Sequence, residues 1–154
     1  MKYIEYFVSI GGEVPDEINL CIAIAECPRA CRNCSWQGVD IKKDLTDDVL
    51  NEIIQENEGV TCVCYLGGDW DLKGIQHGIN IAKSHGLKTA LYSGDSLDNK
   101  DKYINNLDLD YLKIGPYIAR LGGLDNKETN QRFYCIDEKV TDCTELFRRK
   151  YEAY

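Results

Sequence analysis

The chain has 154 residues with 44% hydrophobic content, so we predict a single domain, residues 1–154, with an ordinary buried core. Its 26 acidic and 18 basic residues give a net charge of -8. Because Lys and Arg that neutralise phosphates supply most of the affinity for nucleic acid, this balance argues against a nucleic-acid partner. We find no apolar run of membrane-spanning length and no apolar signal core near Met1. We therefore expect a soluble, cytoplasmic protein with no membrane partner.

Strand and helix patterns alternate along the chain. Aromatic and β-branched residues predict a strand at 3–10, and a continuous apolar run predicts a second, buried strand at 20–25. Further strands are predicted at 60–66, 87–94, 110–117 and 133–136, and helices at 45–54, 72–85, 97–107 and 141–151. The order indicates an α/β protein with ligand chemistry at the carboxyl ends of parallel strands. Since a closed eight-unit barrel needs about 250 residues, we predict a partial (incomplete) TIM-like barrel of about five or six mostly parallel strands with outer helices.

Three cysteines lie within eight residues directly after the second predicted strand: Cys27, Cys31 and Cys34. Three thiolates on one short loop would repel one another unless a cation neutralised them, which indicates a metal centre. A structural zinc site needs four ligands, and the only histidines, His77 and His85, lie far along the chain. A 4Fe-4S cluster usually has four cysteine ligands, so three cysteines would leave one iron open to an outside ligand.

Other interpretations of these cysteines remain open. Cys31 and Cys34 alone would suffice for a thioredoxin-like redox pair, and a zinc site would need a fourth ligand such as Cys21. A structural disulfide is disfavoured without a secretory signal. We predict that Cys21, Cys62 and Cys64 are buried packing residues, since isolated cysteines on strands are commonly small hydrophobes.

The C-x3-C-x2-C spacing after a predicted strand resembles the signature of the radical S-adenosylmethionine (SAM) enzymes. The resemblance implies that Cys27, Cys31 and Cys34 hold a 4Fe-4S cluster whose fourth iron binds the amino and carboxylate groups of SAM. It also implies that one electron from the cluster cleaves SAM into methionine and a 5'-deoxyadenosyl radical, which abstracts a hydrogen atom.

A glycine pair follows the strand predicted at 60–66. Gly67 and Gly68 permit close approach of the backbone to a ligand. Radical SAM enzymes carry a Gly-Gly-Glu-Pro motif in the corresponding place, where it binds the methionyl amino group. Here Asp69 stands for the glutamate and Trp70 for the proline, so by resemblance we assign Gly67, Gly68 and Asp69 to SAM binding, with an ordinary turn as the alternative.

Two further groups of polar residues are candidates for the same site. Ser93 and Lys113 each end a predicted strand and are candidates for binding the carboxylate or ribose of SAM, with solvated loop residues as the alternative. Asn130, Gln131 and Arg132 are candidates for contacting the cofactor or a partner, although a simple turn before the last strand is equally consistent with the sequence.

The short length, the early cysteine motif and the segments 91–94, 110–117 and 130–132 together resemble the activating proteins of anaerobic ribonucleoside-triphosphate reductase. The chain departs from that family at 11–15, where a Gly-Pro-Gly-like segment is usual, and in the altered glycine motif. The resemblance implies that the deoxyadenosyl radical removes a hydrogen from a backbone glycine of the reductase, leaving a glycyl radical. Because a ferredoxin domain is absent, electrons would come from an external donor such as flavodoxin.

Three alternative functions remain. The chain could activate another glycyl-radical enzyme, act as a non-catalytic iron-sulfur electron carrier, or be a zinc-stabilised interaction module. A fully ligated cluster indifferent to SAM would indicate the carrier, and zinc without iron would indicate the module. The basic run at 148–150 is interpreted as a solvated face, with contact to an acidic partner as the alternative.

Overall fold

The computed structural model describes residues 1–25 and 42–148, which form one eight-stranded sheet with three α-helices. The strands are β1 (Lys2–Ile10), β2 (Ile18–Ile24), β3 (Lys43–Asp44), β4 (Cys62–Leu66), β5 (Lys88–Ser93), β6 (Tyr111–Ile114), β7 (Arg132–Ile136) and β8 (Val140–Asp142). The helices are α1 (Asp47–Glu56), α2 (Leu72–Ser84) and α3 (Lys100–Asn106), with two 3-10 turns at Leu97–Asn99 and Thr144–Arg148. Cys27, Cys31 and Cys34 lie outside the described residues.

The sheet has the order β3-β1-β2-β4-β5-β6-β7-β8. β2, β4, β5 and β6 are parallel neighbours, while β1 pairs antiparallel with β2 and β3, and β7 pairs antiparallel with β6 and β8. The register sets Cys21 opposite Cys64 and Tyr92 opposite Lys113. The sheet is therefore mixed, with four antiparallel and three parallel pairings.

The prediction of a partial TIM-like barrel of five or six mostly parallel strands with outer helices was wrong. A parallel crossover needs a dozen or more residues, whereas β1 and β2 are joined by residues 11–17 and β7 and β8 by residues 137–139. These short connections force antiparallel hairpins. The hairpins extend the sheet to eight strands, and three helices accompany it.

The two longer helices form where apolar spacing and capping residues predict them. The Thr46 side chain accepts a hydrogen bond from the Val49 amide at 3.2 Å and caps α1, and the Asp71 carboxylate caps α2 by accepting from the Gly74 amide at 3.0 Å. Gly86 follows the end of α2 with a φ of 75°. The buried faces consist of Leu50, Ile53 and Ile54 on α1 and of Ile75, Ile79 and Ala82 on α2. The helices predicted at 45–54 and 72–85 are thus confirmed, with ends that differ by at most two residues.

Each face of the sheet has its own core, because side chains alternate along a strand. The helical face joins the buried faces of α1 and α2 and Tyr103 of α3 to strand residues that include Leu20, Ile22, Val63, Tyr65, Leu91 and Leu112. The second face carries Val14, Cys21, Cys62, Cys64, Ala90, Leu124 and Phe133. Segments outside the strands therefore cover the second face, with Val14 from the β1–β2 loop and Leu124 from the β6–β7 connection.

The three strand cysteines of the second core are fully buried. Cys21, Cys62 and Cys64 have 0% exposure. Burial raises the pKa of the Cys62 and Cys64 thiols, which therefore stay protonated at neutral pH. The interpretation of these residues as buried packing is confirmed.

The predicted carboxy-terminal helix at 141–151 was wrong over its first residues. Val140–Asp142 instead pairs with β7. The Thr144 amide then donates to the Asp142 carboxylate at 3.0 Å, and the Thr144 hydroxyl oxygen accepts from the Phe133 amide at 2.9 Å. These contacts tie a 3-10 turn to the last hairpin, and residues 149–154 lie outside the described part of the chain. Among the described helices, none has both the length and the apolar character needed to cross a bilayer.

Candidate functional site

The carboxyl ends of the four parallel strands meet at one edge of the sheet. There Gly67 and Gly68 have φ values of 96° and 90°, which L side chains rarely adopt. The Gly67 amide donates to the Tyr92 carbonyl at 3.0 Å, and a Cβ added at Gly67 would lie 3.7 Å from the Ile24 carbonyl oxygen. The glycine pair thus lies directly beside the end of β2.

The predicted cluster ligands begin three positions after β2 ends at Ile24. Their own placement lies outside the described residues. Within residues 1–25 and 42–148, no group of three or more His, Cys, Asp or Glu side chains could hold a metal ion.

The structure brings Asp69 and Ser93 together. Asp69 is 1% exposed and Ser93 is 0% exposed, and the Ser93 hydroxyl donates to the Asp69 carboxylate. The Ser93 hydroxyl oxygen also accepts from the Asp95 amide at 3.0 Å. Both side chains are therefore buried and hydrogen-bonded, and Ser93 is not the solvated loop residue that was its alternative interpretation.

Asp95 and Tyr103, which the sequence did not single out, extend this contact. The Asp95 carboxylate accepts from the Ser96 amide at 2.7 Å, from the Asn99 side-chain amide at 3.0 Å and from the Tyr103 hydroxyl at 2.5 Å. Burial and this last hydrogen bond raise the pKa of Tyr103 to about 12. Asp95 and Ser96 lie between a strand and a helical segment, where Asp and Ser typically form turns and helix caps. This pattern is the sequence signal that could have indicated Asp95.

Lys113 lies on the opposite face of the sheet from the Ser93 side chain. It is 9% exposed and pairs with Phe133 of the second core. Its ammonium donates to the carbonyls of Ser93 at 3.3 Å and Gly115 at 3.0 Å, and lies 5.7 Å from the centre of the Tyr92 ring. Lys113 thus contacts the backbone carbonyl oxygen of Ser93 and not the Ser93 hydroxyl.

Asn130 and Gln131 hold the turn that follows β6. The Gln131 side chain donates to the Gly115 carbonyl at 3.3 Å, and the Asn130 side chain donates to the Pro116 carbonyl at 3.0 Å. Arg132 differs, because it begins β7 and its Nε lies 3.8 Å from an Asp142 carboxylate oxygen. Asn130 and Gln131 therefore lie near Lys113, whereas Arg132 contacts Asp142 of β8.

Among the buried acceptors without a hydrogen-bond partner in the described part of the chain are Oδ1 of Asn130, which lies next to the end of β6, and Oε2 of Glu13, in the β1–β2 loop. The Glu13 backbone carbonyl accepts from the Tyr92 hydroxyl, whose pKa burial raises, so the tyrosine is neutral. Buried polar atoms are nearly always paired, and unpaired acceptors of this kind are suited to a ligand that carries N–H groups.

The histidines lie away from these residues. His77 is exposed and its Nε2 lies 2.7 Å from an Asp47 carboxylate oxygen, while His85 contacts the Asn51 side chain at 2.7 Å. His85 also lines a groove of about 360 Å³ together with Ile54, Gln55, Asn57, Glu58, Gly59, Val60 and Leu87. That groove lies toward the amino ends of β4 and β5, the end opposite the glycine pair.

Comparison of the chain with models of known protein families, with curated proteins and with solved structures gave no match. The residues of the site therefore carry the functional proposal by themselves.

Proposed function

We propose that this chain is a radical SAM enzyme that activates anaerobic ribonucleotide reductase by forming a glycyl radical on it. One observation carries the proposal: in the sequence, a C-x3-C-x2-C motif begins three residues after β2, and the glycine pair that follows β4 lies beside the end of β2. A cysteine loop and a ligand-binding glycine turn on neighbouring parallel strands is the arrangement that the resemblance to this family predicts.

A 4Fe-4S cluster and SAM are consistent with the residues available. Cys27, Cys31 and Cys34 would supply three thiolates, one fewer than a cluster usually takes. When bound, the cluster would supply the electron that cleaves SAM into methionine and a 5'-deoxyadenosyl radical. The five cysteines of the described residues are free, and three of them are packed in the core. The motif cysteines are therefore the ligand candidates.

The other residues at this edge would bind and orient SAM. Gly67 and Gly68 would let the backbone approach it closely, because no side chain intervenes. Lys113 carries the positive charge that suits the methionyl carboxylate, and the unpaired Oδ1 of Asn130 suits an N–H donor of the amino group or adenine.

Asp69 and Ser93 would fix the backbone conformation of the turn after β4. Since the Ser93 hydroxyl donates to the buried Asp69 carboxylate, the pair ties the turn after β4 to the end of β5. This contact would hold Gly67 and Gly68 in place beside the cofactor. By resemblance Asp69 is assigned a contact with SAM, and fixing this turn would be a second way in which it serves the SAM site.

The proposed partners follow from this chemistry. The substrate would be a backbone glycine of the reductase, presented on a loop at the carboxyl edge of the sheet. The cluster would be reduced by an external flavodoxin-like donor in the cytoplasm.

The ligand assignment is tested by the change Cys31→Ala in anaerobically reconstituted protein. We expect the wild-type chain to bind iron and sulfide and to form 5'-deoxyadenosine from SAM, and the variant to lose both properties. Cys135→Ala is the matched control, because Cys135 is a free cysteine of β7 outside the motif, and it should retain both. Iron and sulfide analysis and chromatography of deoxyadenosine provide the measurements.

The same experiment separates the alternatives. Retained SAM cleavage by Cys31→Ala would contradict the ligand assignment. Zinc without iron would favour the zinc-stabilised module. A cluster whose spectrum does not respond to SAM would favour the electron carrier.

A further inference from the structure

α3 contributes one side chain to the carboxyl edge of the sheet. Tyr103 is the buried residue of this helix, and it packs in the core on the helical face of the sheet. Its hydroxyl donates to the Asp95 carboxylate at 2.5 Å. A hydrogen bond to a charged acceptor is stronger than one between neutral groups. The contact therefore ties α3 to the segment that follows β5.

The backbone of Asp95 continues this connection to Ser93. The Asp95 amide donates to the Ser93 hydroxyl oxygen at 3.0 Å, and the Ser93 hydroxyl donates to the Asp69 carboxylate. A serine hydroxyl has a single proton, so an oxygen that accepts from an amide directs this proton to a different partner. The position of Asp95 therefore helps to orient the Ser93 hydroxyl toward Asp69.

The four polar groups form one network. Burial is the largest of the effects that raise the pKa of Tyr103 to about 12, and the hydrogen bond to Asp95 and the charge of Asp69 act in the same direction, whereas Ser93 lowers this pKa. Tyr103 thus interacts with all three other members. In a connected network of buried polar groups, the loss of one member weakens the contacts of the others.

The far end of the network lies in the glycine turn after β4. The Gly67 amide attaches this turn to β5 by donating to the Tyr92 carbonyl at 3.0 Å. The Asp69 side chain attaches the turn to the same strand a second time, through Ser93. The network therefore extends from α3 to the residues that are assigned to SAM binding.

We propose that Tyr103 is a positioning residue for SAM. Its hydroxyl holds Asp95, and Asp95 in turn orients Ser93. Ser93 then fixes the glycine turn through Asp69, so a side chain of α3 determines how well the turn fits the cofactor. The identity of the ligand rests on the proposed function, whereas the link between α3 and the glycine turn can be measured without SAM.

Tyr103→Phe removes the hydroxyl and keeps the ring. We expect the reconstituted variant to bind SAM at least about threefold more weakly, with a raised KM and a kcat for SAM cleavage within about twofold of wild type. Equilibrium dialysis and steady-state kinetics measure these effects. Without SAM, the Gly67 and Asp71 amides, which donate to the Tyr92 and Gly68 carbonyls, should exchange hydrogen at least about threefold faster than in wild type.

Tyr111→Phe is the matched control. The Tyr111 hydroxyl also donates to a carboxylate, that of Glu17 at 2.6 Å, but Tyr111 begins β6 and Glu17 precedes β2, at the amino end of the parallel strands. This variant should lose stability and leave SAM affinity and exchange in the glycine turn unchanged. If Tyr103→Phe does not fold, Asp95→Asn takes its place, because it removes the charge to which Tyr103 donates, and the same changes are expected.

The outcomes separate this inference from the proposed function. Wild-type protein that binds SAM, together with a folded Tyr103→Phe variant of unchanged SAM affinity and exchange, would overturn the inference alone. Equal effects of Tyr103→Phe and Tyr111→Phe would also overturn it, because they would reflect a general loss of stability. Reconstituted wild-type protein that binds no SAM would contradict the proposed function and, with it, the assignment of Tyr103 to SAM.

Discussion

At the carboxyl end of β5, the hydroxyl of Ser93 donates to the carboxylate of Asp69, and both residues are almost completely buried. A buried carboxylate that loses a hydrogen-bond donor keeps the cost of its desolvation. This contact therefore contributes to stability as well as to the geometry of the glycine turn.

Ser93→Ala should lower the free energy of unfolding by about 1–3 kcal/mol, because it leaves the buried Asp69 one donor short. Ser84→Ala is the control, since Ser84 lies exposed at the end of α2 and its loss should change the free energy by less than about 0.5 kcal/mol. Urea unfolding of both variants makes the comparison. Equal stability of the two variants would show that the Ser93 contact contributes nothing.

Tyr103 predicts a dependence of stability on alkaline pH. Its pKa is raised from 10 to about 12, so the folded state favours the protonated hydroxyl that donates to Asp95. The resulting stabilisation is fully present below pH 10 and is lost as the pH rises through about 12. Tyr103→Phe should therefore lose less stability than the wild type across that interval. Denaturant unfolding at a series of pH values measures the difference, and parallel profiles would contradict it.

The turn after β4 is constrained as an element by its glycines. Gly68 has a φ of 90°, and a Cβ added there would lie 2.6 Å from Cδ1 of Ile75, which is fully buried in α2. Gly59 has a similar φ of 98°, but a Cβ there would meet nothing within 4 Å. The two positions thus share the backbone requirement and differ in packing.

Gly59→Ala should cost about 1–2 kcal/mol of stability through its backbone conformation alone. Gly68→Ala should cost that amount and about 1–3 kcal/mol more, because the added methyl overpacks the helix core. Thermal or urea unfolding of both variants isolates the packing contribution. A Gly68→Ala variant no less stable than Gly59→Ala would contradict the close approach of α2 to this turn.

The elements with strong local patterns were predictable from the sequence. α1 and α2 combine a regular apolar face with a capping side chain, and β2 and β4 contain continuous apolar runs at 20–24 and 62–66. β3 has two residues and β8 has three, too few to form a pattern. β3 exists through its pairing with the distant β1, and β8 through its hairpin with β7, which includes residues 141–142 of the segment predicted as a terminal helix.

The candidate site was predictable only in part. Gly67, Ser93 and Lys113 stood out because each follows or ends a strand pattern, and parallel strands bring such positions to one edge. The hydrogen bond from Ser93 to Asp69, and the position of Lys113 on the other face, depend on strand register and twist. Sequence spacing alone does not determine either feature.

At the scale of the whole molecule, two surfaces lie at different ends of one open sheet. The polar residues and glycine turns gather at the carboxyl ends of β4, β5 and β6, while Tyr6, Val8 and Ile10 line an edge strand. A closed barrel would have had no such edge. The mixed topology therefore combines the carboxyl ends of parallel strands with an antiparallel edge strand in one short chain.

The most direct measurement of the proposed function combines the reduced, reconstituted protein with SAM and an anaerobic reductase in the absence of oxygen. Electron paramagnetic resonance should show a glycyl radical on the reductase, together with formation of 5'-deoxyadenosine. Deoxyadenosine without that radical would mean that the glycine substrate belongs to another enzyme. An intact cluster that yields neither product would contradict the proposal that this chain is a radical SAM activating enzyme.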